Sequence, residues 1–181
     1  MDDKFSYRLT KDTKNEIAQN LVDILQKDAT ITRQTRIFIS NWLMTDDTEK
    51  RKAFYDVWDI VLKNYLPTTR PVLFRTCNRI GKNGKIASFT GRLECARRIS
   101  EGKGSLLICD TDEYLKFEER FYKPGEYRHT FYPLVSVLIK ARDSGRNELS
   151  EAALRFIGED EYIMRINLGS MHGFKWIKSD F

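Results

Sequence analysis

Apolar positions in the first third of the chain recur at helical spacing. Ile17, Leu21, Ile24 and Leu25 form one stripe, with Asp12 or Thr13 placed to cap its start. Phe38, Trp42 and Leu43 outline a second, less regular helix. Phe54, Val57, Trp58, Val61, Leu62 and Tyr65 make the clearest stripe, opened by Asp47 or Thr48 and stopped by Pro67. From Pro71 the pattern shifts to short strands. Residues 72–76 put Leu73 and Arg75 on one face and Val72 and Phe74 on the other. Gly81-Lys82-Asn83-Gly84 predicts a turn, and 85–89 a second strand. Thr90 is placed to cap a helix that carries Leu93, Ala96 and Ile99 inward and ends at Gly102. Further strands are predicted at 105–109, 134–139, 161–166 and 174–177.

Helices first and clustered strands afterwards predict an α+β fold. At 181 residues the chain reads as one domain, with a helical lobe over 1–66 and a strand-rich core over 67–181. Two stretches predict irregular structure. Residues 111–132 hold seven aromatics among many charges, and 142–155 are polar and lead directly into Phe156. Loops carry function more often than scaffolds do.

Charge changes the picture in one place. Residues 1–66 balance 11 basic against 11 acidic side chains, so the net +5 lies entirely in 67–181. Residues 70–98 are the densest part, with eight basic residues and one acid, Glu94. Such a patch suits a phosphate-bearing partner, either nucleic acid or a dinucleotide, and equally suits a solvated surface. Cys77, Cys95 and Cys109 form no CxxC pair. They predict free thiols in a reducing compartment. No apolar signal region or bilayer-length run is present, which predicts a cytoplasmic protein without a membrane partner. Two histidines and three scattered cysteines predict no metal site. The turn at Gly81–Gly84 lacks the spacing of a Walker loop, and no GxSxG occurs.

Three features carry candidate chemistry. Arg75 is a lone charge in an apolar strand and needs a partner there, a core carboxylate or a bound anion. Ser88-Phe89-Thr90 ends a strand and opens a helix, whose first N–H groups favour anions. Phe156-Ile157-Gly158-Glu159-Asp160-Glu161 is a turn running into a strand. Alternation sets Glu159 and Glu161 on one face, with Tyr162, Met164 and Ile166 on the other. Paired carboxylates repel, which raises one pKa, though a solvated strand end also collects charge.

In that order and spacing these features resemble the mono-ADP-ribosyltransferases of the Arg-Ser-Glu type, which include cholera-like and clostridial toxins and several tailed-phage enzymes. The resemblance covers about residues 71–178. Leu73-Phe74-Arg75 is similar to the family's first strand, and Ile86-Ala87-Ser88-Phe89-Thr90 to its Ser-Thr-Ser segment. Phe156-x-x-Glu159-x-Glu161 resembles its aromatic-then-ExE turn. The departures are Phe89 for the middle Thr and Thr90 for the last Ser.

The resemblance implies a core of two small mixed or antiparallel sheets around an NAD cleft, with NAD as substrate and no metal. It implies that Arg75 holds the NAD phosphates or adjoining ribose, and that Ser88 orients Glu161, with Phe89 and Thr90 beside it in the NAD site. Glu161 would stabilise the oxocarbenium ion as nicotinamide leaves. Glu159 would position and deprotonate the acceptor, with Phe156 meeting the target, and residues 111–132 would flank the NAD pocket. Glu at position 159 goes with arginine as acceptor, so the implied partner is a protein with an exposed arginine, in a phage or toxin setting. Two other readings stay open. One is transfer to nucleic acid. The other is a nucleic-acid-binding module with a decayed transferase fold, docking through residues 70–98.

Overall fold

Threonine hydroxyls start the first two helices. Thr10 accepts from the Thr13 amide at the head of α1 (Lys11–Gln26), and Thr32 accepts from the Thr35 amide at the head of α2 (Arg33–Met44). The cap of α1 is therefore Thr10 rather than Asp12 or Thr13. The computed structural model describes residues 7–46, 52–77, 83–144 and 148–176. The expected caps Asp47 and Thr48 of α3 (Lys52–Asn64) lie outside those residues, as do Gly81, Lys82 and Ile177.

The chain forms two compact units. The first comprises residues 1–61 and 136–157. Its core is the predicted aromatic stripe: Trp42 meets Phe54 and Trp58 with ring centres 5.8 and 5.7 Å apart, and Phe38 meets Trp58 at 5.3 Å. Lys14 pairs with Asp56 at 2.7 Å and joins α1 to α3. This unit also takes in most of α7 (Leu134–Asp143) and all of α8 (Glu151–Leu154). The sequence placed a strand at 134–139 and it is a helix. Leu134, Val135, Val137, Leu138 and Ala141 are buried, and that spacing is helical.

The second unit comprises residues 62–135 and 158–181. It holds β1 (Val72–Cys77), β2 (Ile86–Thr90), α4 (Leu93–Ser100), β3 (Ser105–Asp110), α5 (Thr111–Tyr114), α6 (Glu118–Phe121), β4 (Phe131–Tyr132), β5 (Glu161–Arg165) and β6 (His172–Lys175). The strands form one six-stranded antiparallel sheet in the order β4-β5-β2-β1-β3-β6. The expected two sheets are thus one sheet. Its middle seam is narrow, however. β1 and β3 share six register pairs and β2 and β5 share five, whereas β1 and β2 meet at the single pair Phe74↔Thr90.

One face of the sheet packs Leu73, Ala87, Phe89, Leu107, Cys109, Phe131, Met164 and Ile166 into a continuous core. The helix after β2 departs from expectation. Cys95 and Ala96 are its buried residues, while Leu93 and Ile99 are exposed. Thr90 remains in β2 and does not cap it. The stretch 111–132 is more ordered than its composition suggests. Glu118, 1% exposed, accepts the amides of Arg128 and His129 at 3.0 Å each and holds the chain that leads into β4. Cys95 and Cys109 are buried free thiols, and Cys77 is half-buried. Burial pushes the Cys109 thiol up to about 12. Among the described residues no helix is long and apolar enough to cross a membrane.

Candidate functional site

The narrow seam between β1 and β2 is where the candidate residues gather. Continued in register, the ladder would set Thr76 opposite Ser88. Instead Arg75 Nη1 donates to the Ser88 carbonyl at 2.9 Å. A side chain thus takes a bond that the backbone of β1 leaves unmade. Arg75 is half-buried, as its place in an apolar strand requires. Across the other edge of β2 the register pairs Ser88 with Ile163 and Thr90 with Glu161. Cross-strand partners share a face, so Ser88, Thr90 and Glu161 stand on one side of the sheet, opposite Phe89 and Tyr162. Arg75 stands opposite Leu107 and shares the other face with Leu73 and Phe89, so its strand position sets it on the side away from Ser88, Thr90 and Glu161, and its Nη1 reaches β2 at the Ser88 carbonyl.

The turn before β5 is bound to the end of β2 and to α4 at several points. Thr90 Oγ1 donates to the Glu159 carbonyl at 2.7 Å and accepts from the Arg92 amide at 3.1 Å. The Gly91 amide donates to the Asp160 carbonyl at 3.1 Å. Cys95 Sγ donates to the Gly158 carbonyl at 3.4 Å, and Arg92 Nη1 reaches the same oxygen at 3.4 Å. Arg98 Nη2 donates to Glu159 Oε1 at 2.5 Å. The turn itself is a 3-10 segment, Arg155–Glu159, followed by Asp160 at φ +49°. That left-handed residue reverses the chain between the two glutamates, and Asp tolerates the region better than most. A Cβ on Gly91 would lie 2.2 Å from Asp160 Oδ2, so glycine is needed there for close approach.

Electrostatics follow from this packing. Burial holds the Asp160 carboxyl above the usual carboxylate range, opposed in part by Arg92 and by the Tyr162 hydroxyl that donates to it. The same contact, after burial, pushes the Tyr162 phenol up to about 12. Oε2 of both Glu159 and Glu161 is shut off from solvent. The site is thus a carboxylate-bearing turn tied to the end of β2 and to α4.

The predicted residues divide into three groups. Arg75, Ser88, Glu159 and Glu161 lie in the second unit, around the β1–β2 seam and the β5 turn. Phe89 is 2% exposed in the core, so its side chain packs the sheet and cannot face a ligand there. Thr90 is 8% exposed and ties the turn down. Phe156 is half-buried and belongs to the first unit. Sequence reasoning missed Gly91, Arg92, Cys95, Arg98 and Asp160. They meet only after residues more than 60 positions apart are brought together, and nothing in local spacing marks that.

Elsewhere in the second unit, an open cleft of about 590 Å³ is lined by Arg70, Asp110, Asp112, Glu113, Lys116 and Glu119, among others. Leu115 and Arg120 complete its lining, and none of the predicted site residues is among them. Among the described residues no cluster of three or more histidine, cysteine or acidic side chains is arranged to hold a metal ion. Comparison of the chain with protein-family models, curated proteins and solved structures returns no match.

Proposed function

We propose that this chain is an NAD-dependent mono-ADP-ribosyltransferase that modifies arginine side chains of proteins. The observation that supports this reading is that β2 lies between β1 and β5, which brings Arg75 to the Ser88 carbonyl and sets Ser88 and Glu161 on one face of the sheet. A planar, permanently charged guanidinium suits pyrophosphate. A carboxylate nearby suits the positive charge that develops when a glycosidic bond breaks.

The roles are those that the resemblance implies. Arg75, fixed by the Ser88 carbonyl, holds the phosphates. Glu161 accepts a hydrogen bond from the ribose bearing nicotinamide and balances the developing charge. The bond from ribose C1 to the nicotinamide nitrogen breaks, and the electron pair leaves with nicotinamide. A guanidine nitrogen of the acceptor bonds to the same carbon, and its proton passes to Glu159. Phe89 lies in the core, so this scheme gives it no contact with NAD.

The nucleic-acid readings have less support. In the basic stretch 70–98, Arg75, Arg92 and Arg98 bind the backbone or carboxylate of the site itself, and Arg70 bonds the Pro67 carbonyl and lies 3.6 Å from Glu119.

The test is incubation with labelled NAD and a bacterial lysate, with and without nucleases, beside Glu159→Gln. The expected result is label on nuclease-resistant protein bands, released by hydroxylamine and lost in the variant. Nuclease-sensitive label would move the acceptor to nucleic acid, and hydroxylamine-resistant protein label would overturn arginine as the target.

A further inference from the structure

The turn that carries the two glutamates already holds guanidinium groups of its own chain. Arg98, in the last turn of α4, gives Nη2 to Glu159 Oε1, and Arg92 gives Nη1 to the adjoining Gly158 carbonyl. The second oxygen of Glu159, Oε2, is buried with no hydrogen-bond partner among the described residues. A carboxylate holds a guanidinium most strongly through two parallel N–H···O bonds. The Arg98 contact is a single bond from a side chain 63% exposed, to a carboxylate side chain 35% exposed. Ion pairs with such exposure shift an equilibrium by no more than roughly fivefold. Arg98 is therefore a weakly held partner of Glu159. Its departure would disturb little, because α4 packs through Cys95 and Ala96.

We propose that Arg98 is an internal occupant of the acceptor's seat. An incoming arginine side chain must displace it from Glu159, and Arg98 thereby sets the affinity for acceptors. The catalytic consequence rests on the transferase reading above. The guanidinium seat rests on Glu159, Arg98 and Arg92 alone and is testable without NAD. The seat favours a planar guanidinium over an ammonium, because the group that fills it at Glu159 Oε1 is a guanidinium.

The experiment titrates the full chain with agmatine, a small guanidine, by calorimetry or NMR in the absence of NAD. It then measures nicotinamide release and agmatine modification with NAD present. The proteins are wild type, Arg98→Ala, Arg98→Lys and the neighbouring Arg97→Ala, each checked for a native circular dichroism spectrum. Removing Arg98 should tighten agmatine binding about two- to fivefold. The KM for agmatine should fall by the same factor with kcat within about twofold. Arg98→Lys should fall between the two, and Arg97→Ala should match wild type. Unchanged or weaker agmatine binding in a folded Arg98→Ala protein would overturn the proposal. Modification of agmatine with equal KM in wild type and Arg98→Ala would leave the transferase reading standing and remove the seat. Tighter binding in Arg98→Ala with no nicotinamide released by any variant would leave the seat standing and remove the transferase reading.

Discussion

Asp160 shows how a single residue serves the site without doing its chemistry. It sits between two glutamates, and the three form a run of acids that reads as one solvated strand end. The structure separates them. Asp160, at φ +49°, receives the Tyr162 hydroxyl and fits against Gly91, while Glu159 meets Arg98 and Glu161 pairs with Thr90. Its carboxyl is raised in the folded chain, chiefly by burial. A raised carboxyl opposes folding once ionised, so its cost is absent below the ordinary Asp value of 3.8 and grows as pH rises through the raised one. Asp160→Asn keeps the shape, the left-handed tolerance and an oxygen for Tyr162. At pH 7 it should be at least as stable as wild type in urea melts, and any gain should vanish below about pH 4. A gain that grew on acidification would contradict this sign.

At the scale of elements, what was legible depended on how far each pattern ran. β1, β2 and β5 were readable from their alternation, and β3 from a short apolar run that starts just after Gly102 and Gly104. α7 was not. Leu134 to Ile139 is a short apolar run, and such a run does not tell a buried strand from a buried helix. The distinguishing residue is Ala141, which completes a helical stripe only when the window is extended. Leu93 and Ile99 were misplaced for the opposite reason. α4 is short, and its buried side is set by Cys95 and Ala96 rather than by its largest apolar residues. Glu118 in α6 was invisible as an anchor, because its partners are backbone amides ten and eleven residues later. The two amides go to different carboxylate oxygens. Glu118→Ala should therefore lose about 2–5 kcal/mol of stability in denaturant melts. Glu118→Gln, which keeps one acceptor oxygen, should lose less. Equal losses would show that packing, not the amide bonds, is what Glu118 supplies.

Across the whole molecule the sheet has two well-paired halves, β4-β5-β2 and β1-β3-β6, sharing one register pair, and Arg75 sits beside that seam. The order of Arg75, Ser88 and Glu161 was visible in sequence. Their placement on three neighbouring strands was not, since it depends on β2 lying between β1 and β5. The helical first unit was expected from 1–66, but its recruitment of 136–157 was hidden by the misread α7. In this scheme Glu161 balances charge at a breaking glycosidic bond. The decisive measurement is nicotinamide release from NAD by the purified chain, beside Glu161→Gln, which is close in shape and lacks the charge. Wild type should release nicotinamide, and the variant should lose at least about 100-fold, with an unchanged thermal melt. Equal release by both proteins, or none by wild type with or without an arginine acceptor, would contradict it.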